Sequence, residues 1–244
     1  MPSDKEAFTQ HISQQFNDEL EEIRTHLLEM GGLVEKQIND AIVALVEGDA
    51  RLAQQVREKD DAINQMELDI NQDCLRILAR RQPAASDLRL VVSISKIIVD
   101  LERIGDESSK IAKRALDLVE EGQAPRGYVE CRHIGHHVRR MVQEALDAFA
   151  RMDTEQAFAV AREDKAVDQE YKTAMREMVT FMMEDPRSIG RVLNILWVLR
   201  SLERVGDHAR NIAEHVIYLV KGRDIRHTSV SDLDHELLGK GHQR

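Results

Sequence analysis

Two short stretches carry side chains that could hold a metal ion, and they are nearly the same stretch. Leu101-Glu102-Arg103-Ile104-Gly105-Asp106 returns as Leu202-Glu203-Arg204-Val205-Gly206-Asp207, and Ile111-Ala112 returns as Ile212-Ala213 at the same offset. On a helix, Glu and Asp four residues apart lie on one stripe, about 6 Å apart along the axis. Like charges at that spacing are mildly destabilising, and a mid-helix glycine costs up to ~1 kcal/mol against alanine. Both unfavourable choices are made twice, in the same order. A hard cation converts the repulsion into binding, because carboxylate oxygens suit Mg²⁺, Mn²⁺ and oxidised iron. The competing reading is a solvated acidic face, with Arg103 reaching Asp106 at i+3 and Asp106 pairing with Lys110 at i+4.

Two carboxylates do not fill a coordination sphere, so a neighbouring helix must supply more. Asp60 opens Asp60-Asp61-Ala62-Ile63-Asn64-Gln65, and Asp164 opens the similar Asp164-Lys165-Ala166-Val167-Asp168-Gln169. Glu214 falls on the stripe of Glu203 and Asp207 where the first copy has Lys113, which favours the second site for a cation. Gly105 and Gly206 give a second reason for their presence, since a helix can approach closely where Cβ is missing.

The elements that must position these residues are helices. Ser3 with Glu6 forms a capping box that opens a pattern running to about Glu47, with a bend or break expected at Gly31-Gly32. Asp49 caps a second helix reaching Arg81, Pro83 stops it, and Ser86 caps a third that Gly122 ends. Gln123 to Gly127 is the joint. Beyond it come a fourth helix over Tyr128–Arg151, a fifth capped by Asp153 to Glu184, and a sixth from Pro186 and Ser188 to Lys221. The expected fold is all-α: two tandem three-helix bundles related by internal duplication, residues 1–122 and 128–222, with a polar and flexible tail over 223–244. Apolar seams at Leu90, Ile94, Ile97, Leu101, Ile104, Ser108, Ile111, Ala115 and Leu118, and at Ile195, Val198, Leu202, Val205, Ala209, Ile212, Val216 and Leu219, face the cores. Glu102 and Asp106, and likewise Glu203 and Asp207, sit roughly 100–140° from the seam centre and so flank the core rather than enter it.

Composition agrees with long solvated helices. Of 244 residues, 32% are charged and 4% aromatic. The net charge of −10 argues against a nucleic-acid surface and against a broad grip on anionic lipid. No apolar run approaches the ~18 residues that cross a bilayer, and the N-terminus has no apolar signal core, so a cytoplasmic protein is expected. Cys74 and Cys131 form no CxxC and are read as reduced packing residues.

Other constellations carry less. His133 and His137 lie at i,i+4 but lack a second ligand pair, and read as helix-surface residues. Glu130 with His133 is Glu-x-x-His, the di-iron bundle signature, without its partner on another helix. There is no Gly-rich phosphate loop, HExxH or nucleophile elbow. Met175, Met178, Met182 and Met183 read as core, and so does Trp197, next to the core position Val198.

At LERIGD and LERVGDHARNIAEHV the chain resembles the PhoU family, with support from Arg81-Gln82-Pro83 ahead of Asp87-Leu88-Arg89 and from Met30-Gly31. The likeness covers about residues 5–222. It implies a cytoplasmic homodimer that represses the phosphate-starvation response by linking the ATPase subunit of a phosphate ABC transporter to a membrane sensor histidine kinase. It also implies metal ions (Mg, Mn, Fe or Zn) at Glu/Asp-xxx-Asp motifs, which map here onto Glu102/Asp106 and Glu203/Asp207. The copies differ beside the motif, where Glu107-Ser108 stands opposite His208-Ala209. A regulatory adaptor without catalysis is therefore the leading expectation. The alternatives are a metal-dependent phosphohydrolase, which lacks an accompanying general base, and a metal or phosphate buffer.

Overall fold

The computed structural model describes the backbone of residues 4–122, 124 and 126–223, and side chains from residue 14 onward. Within it the chain forms α1 (Asp4–Glu47), α2 (Ala50–Glu58), α3 (Asp60–Arg81), α4 (Ala85–Glu121), α5 (Tyr128–Arg151), α6 (Thr154–Glu184) and α7 (Ile189–Lys221). A 3₁₀ turn over Pro186–Ser188 leads into α7. Every regular element among the described residues is helical, and the duplicated three-helix plan is as expected. In the first repeat α1 and α3 pack on α4; in the second α5 and α6 pack on α7. The repeats then join along α4 and α7, and again where α1 meets α5. The seam residues fill one continuous apolar core that runs through both halves.

Local chemistry explains most boundaries. The Asp49 carboxylate accepts from Leu52 N at 2.9 Å, and that of Asp153 from Glu155 N and Gln156 N at 2.9 and 3.1 Å. Gly122 and Gly222 end α4 and α7 at positive φ. The tail over 224–244, Ser3 and the joint residues Gln123 and Pro125 lie outside the described residues.

Three boundaries depart from expectation. α1 passes unbroken through Gly31-Gly32: a Cβ on Gly31 would stand 2.6 Å from Leu146 Cδ1, so this glycine admits α5 rather than bending α1. The second helix is interrupted at Lys59. A continuous helix would send the Asp60 N–H to the Val56 carbonyl; instead Gln37 Nε2 donates to that carbonyl at 3.3 Å and to Asp60 Oδ1 at 3.0 Å. A side chain of α1 has entered the ladder. Ser86 does not cap α4, which starts two residues earlier than such a cap implies, at Ala85 after Ala84, with no side-chain cap. Gln82 and Ala85, both at φ 47, make the reversal around Pro83.

Candidate functional site

Glu102 and Asp106 lie half-buried on α4, with Arg103 touching both, at 3.4 and 3.3 Å. Lys110 pairs with Glu107 at 2.9 Å rather than with Asp106, because Glu107 is nearly sequestered and gains more from a partner. Asp60 faces this pair from α3, close enough for charge repulsion. Burial raises the pKa of Glu102, and the charges of Asp106, Glu67 and Asp60 add to it. Burial also raises that of Asp60, against the hydrogen bond from Gln37 and reinforced by Asp106. Gly105 makes this arrangement fit: a Cβ there would meet Gln37 Oε1 at 3.2 Å and Asp60 Oδ1 at 3.5 Å.

The second copy gathers the matching residues and one more. Burial raises the pKa of Glu203, followed by the charges of Asp207, Asp168 and Asp164. Asp207 is raised by burial and then by Asp164 and Asp168. Here Glu203 departs from the surface placement expected for it, being 9% exposed beneath Arg200, whose Nη1 stands 2.6 Å away. The charged groups that act on it are Asp207, Asp168 and Asp164 beside Arg200. Asp164 is buried and held by Arg210 at 2.8 Å, and the same guanidinium takes Glu214 at 3.2 Å. Glu214 is thus engaged by a cation of the chain itself, which removes the ground for favouring the second site. Ser109 stands in the first copy where Arg210 stands in the second.

Glu67 and Asp168 are members of these patches that the sequence reading passed over. Glu67 lies seven residues beyond Asp60 on α3 and Asp168 four beyond Asp164 on α6, and those helical steps are the available signal.

The donor set is right for a hard cation, and Glu203 Oε2 is buried with no hydrogen-bond partner. Burial first, and neighbouring carboxylates after it, raise the pKa of Asp60, Glu102, Glu203 and Asp207, so negative charge is costly in both patches. Among the described residues, though, no three His, Cys, Asp or Glu side chains converge to hold a metal. The chain offers carboxylate pairs that an ion could join, with water or another molecule completing its sphere.

Several dismissed residues also stand differently. His137 is nearly buried: Nδ1 lies 3.1 Å from Glu170 Oε1 and Nε2 3.7 Å from Glu163 Oε2, so it is an α5–α6 contact and not a surface residue. Trp197 is 58% exposed and does not pack in the core; the Arg114 guanidinium lies over its ring. Met178 is buried, whereas Met183 is 79% exposed. Cys74 and Cys131 are free and buried, and burial pushes the Cys74 thiol up to about 12. No helix among the described residues is long and apolar enough to cross a membrane.

Fold and site together define a duplicated all-α protein whose repeats each carry one Glu-xxx-Asp patch on the last helix. A family model described as "PhoU domain" matches residues 27–115 and again 131–216, one match per repeat. The chain belongs to the PhoU family. It is 68% identical over 233 residues to the "Phosphate-specific transport system accessory protein PhoU homolog" of Pseudomonas aeruginosa, covering 96% of each chain. To the "Phosphate-specific transport system accessory protein PhoU" of Escherichia coli it is 50% identical over 230 residues, covering 94% of this chain and 95% of that one. The crystal structure of PhoU from Pseudomonas aeruginosa superposes with a TM-score of 0.84 at 71% identity, over 85% of this chain and all of that one. That of the phosphate transport system regulatory protein PhoU from Streptococcus pneumoniae gives 0.79 at 34% identity, over 86% and 98%.

Proposed function

We propose that this chain regulates phosphate uptake in the cytoplasm, as an adaptor and not as an enzyme. The observation that carries the reading is the near full-length identity to relatives named as accessory proteins of a phosphate-specific transport system. In this reading a homodimer restrains uptake and the phosphate-starvation response when phosphate is plentiful. It does so by linking the ATPase subunit of the phosphate ABC transporter to a membrane sensor histidine kinase. Extended helical faces suit contact with two partners, and the acidic patches lack the general base and phosphate-gripping loop that hydrolysis calls for. Deleting the gene is expected to switch on phosphate-starvation genes in phosphate-rich medium. Normal repression in the deletion strain would remove this function.

Metal binding at the two patches forms part of the proposal. It is supported by the orphaned Glu203 Oε2 and by the raised pKa values of Asp60, Glu102, Glu203 and Asp207. Glu102 and Asp106 with Asp60, and Glu203 and Asp207 with Asp164, are the residues that would hold Mg, Mn, Fe or Zn. A bound ion would supply charge neutralisation between helices. Asp207→Ala is expected to lower the metal content found by elemental analysis while helix content by circular dichroism stays the same. Unchanged metal content takes these residues off the site.

A further inference from the structure

Where α4 and α7 join, the surface opens into a cavity of about 460 Å³ whose lining is basic in an acidic protein. Lys110, Lys113 and Arg114 enter it from α4, Arg200 and Arg204 from α7, against one lining carboxylate, Glu107. Counting the nearby ion-pair partners Asp117 and Glu203 as well still leaves two positive charges over. The chain as a whole carries −10, so this concentration of cations is local and opposite to the rest of the surface.

The cavity is also ordered. Glu107 is 2% exposed at its floor and accepts from Lys110 at 2.9 Å and pairs with Arg204 at 3.0 Å. Those contacts fix the two head groups, whose side chains remain 53% and 44% exposed and turn their other donors outward. Lys113 is exposed and has no carboxylate in ion-pair range among the described residues. Trp197 forms one wall, with Arg114 over its ring at 5.9 Å. Guanidinium forks and ammonium groups recognise phosphate oxygens, and an exposed indole beside them can stack a planar heterocycle. The volume falls within the ~300–1,000 Å³ of small-molecule sites, larger than one phosphate ion requires.

We infer that this α4–α7 cavity binds a soluble oligophosphate, as a free chain or as the tail of a nucleotide. The cations grip the phosphates, and Trp197 stacks the base when one is present. The site adjoins the second carboxylate patch through Arg200, which pairs with Glu203, but none of the patch carboxylates lines it. It does not depend on the regulatory reading, since it is tested on the purified chain.

The test is titration of the full-length protein with tripolyphosphate, and separately with ATP, in magnesium-free buffer. Calorimetry and the emission of Trp197, the single tryptophan, report binding. Both probes are expected to bind saturably and to weaken as salt is raised. Lys113→Gln, exposed and therefore harmless to folding, should weaken both about tenfold, the loss of one charge-assisted hydrogen bond. Adding Arg204→Gln should weaken them further, with circular dichroism confirming the fold. ATP binding more tightly than tripolyphosphate, with the difference abolished in Trp197→Leu, assigns a nucleotide; equal affinities assign an inorganic chain. The inference is overturned if neither probe binds, or if Lys113→Gln leaves both affinities unchanged. A Glu-rich peptide binding where both phosphates fail would assign the groove to a protein partner and overturn it equally.

Discussion

Gly105 and Gly206 occupy the same place in the two repeats but solve different packing problems. Against Gly105 lies the polar wedge of Gln37 and Asp60; against Gly206 lie Val138 Cγ1 at 3.5 Å and Val167 Cγ1 at 3.3 Å. Val138 stands in the second copy where Gln37 stands in the first. Gln37→Val would therefore copy the second repeat without mending the first. The Val56 carbonyl and Asp60 would lose their donor while Lys59 still interrupts the helix. The expected cost is about 1–3 kcal/mol, that of a buried group left without its hydrogen bond. Urea unfolding with an unshifted midpoint would contradict this. A second residue-scale prediction concerns Glu35, whose pKa burial raises, with the charge of Asp147 adding to it and Arg139 opposing. A carboxyl raised on folding costs stability when ionised. The cost is absent below its unfolded value, about 4.3, and grows as pH rises through the folded one. Glu35→Gln should stabilise the fold at pH 7 by at most ~1 kcal/mol for a half-buried group, raising the melting temperature, and lose its advantage near pH 4. A gain that is the same at both pH values would show that charge is not its source.

Helix pairs show where one-dimensional reading succeeds and where it stops. The seams of α4 and α7, the Asp49 and Asp153 caps and the terminal glycines follow from periodicity and local chemistry, so they were legible in the sequence. The Lys59 interruption was not, because its cause is Gln37, a residue of another helix that no local window around Lys59 contains. The same limit applies to the site. The i,i+4 acids on α4 and α7 are a local pattern, whereas the engagement of Glu214 by Arg210, the depth of Glu203 and the basic cavity all arise when helices meet. Gly31 and Gly135 make the point for α1 and α5. Each reads as a weak spot in a helix, yet each touches a side chain of the other helix, Leu146 and Ile42. A Cβ on Gly135 would come to 2.5 Å from Ile42 Cδ1 and 3.0 Å from Cγ1, where a β-branched side chain cannot turn aside. Gly135→Ala should cost about 1–3 kcal/mol despite its better helix propensity. Gly31→Ala meets the far end of Leu146 and should cost less. Equal or stabilising effects in thermal melts of both variants would rule out close approach as the reason for these glycines.

At the scale of the whole molecule, the question is whether two repeats in sequence are two units in energy. The apolar core runs through both halves without a gap, and the α4–α7 seam buries polar groups that only the partner helix satisfies. Asp100 of α4 is 8% exposed and stands 2.9 Å from His208 Nδ1, 3.2 Å from Asn211 Nδ2 and 3.4 Å from His215 Nε2, all on α7. Burial opposes its ionisation, but these contacts outweigh burial and hold the carboxyl below its ordinary value. Arg89 adds a bond to the Leu219 carbonyl at 3.1 Å, and Arg24 reaches the Ala150 carbonyl between α1 and α5. A half standing alone would expose its seam and strand these groups, a cost of several kcal/mol that compares with the entire stability of a domain of this size. The chain should therefore unfold in a single cooperative transition, with circular dichroism and Trp197 fluorescence coincident although Trp197 reports from α7 alone. A fragment of residues 128–223 should be poorly helical or associate through its bare α7 face. Asp100→Ala, which leaves His208 and His215 facing a void, should shift both probes together by about 1–3 kcal/mol. Separate transitions for the two probes, or a fragment that folds as a stable monomer, would mean that the duplication still behaves as two domains.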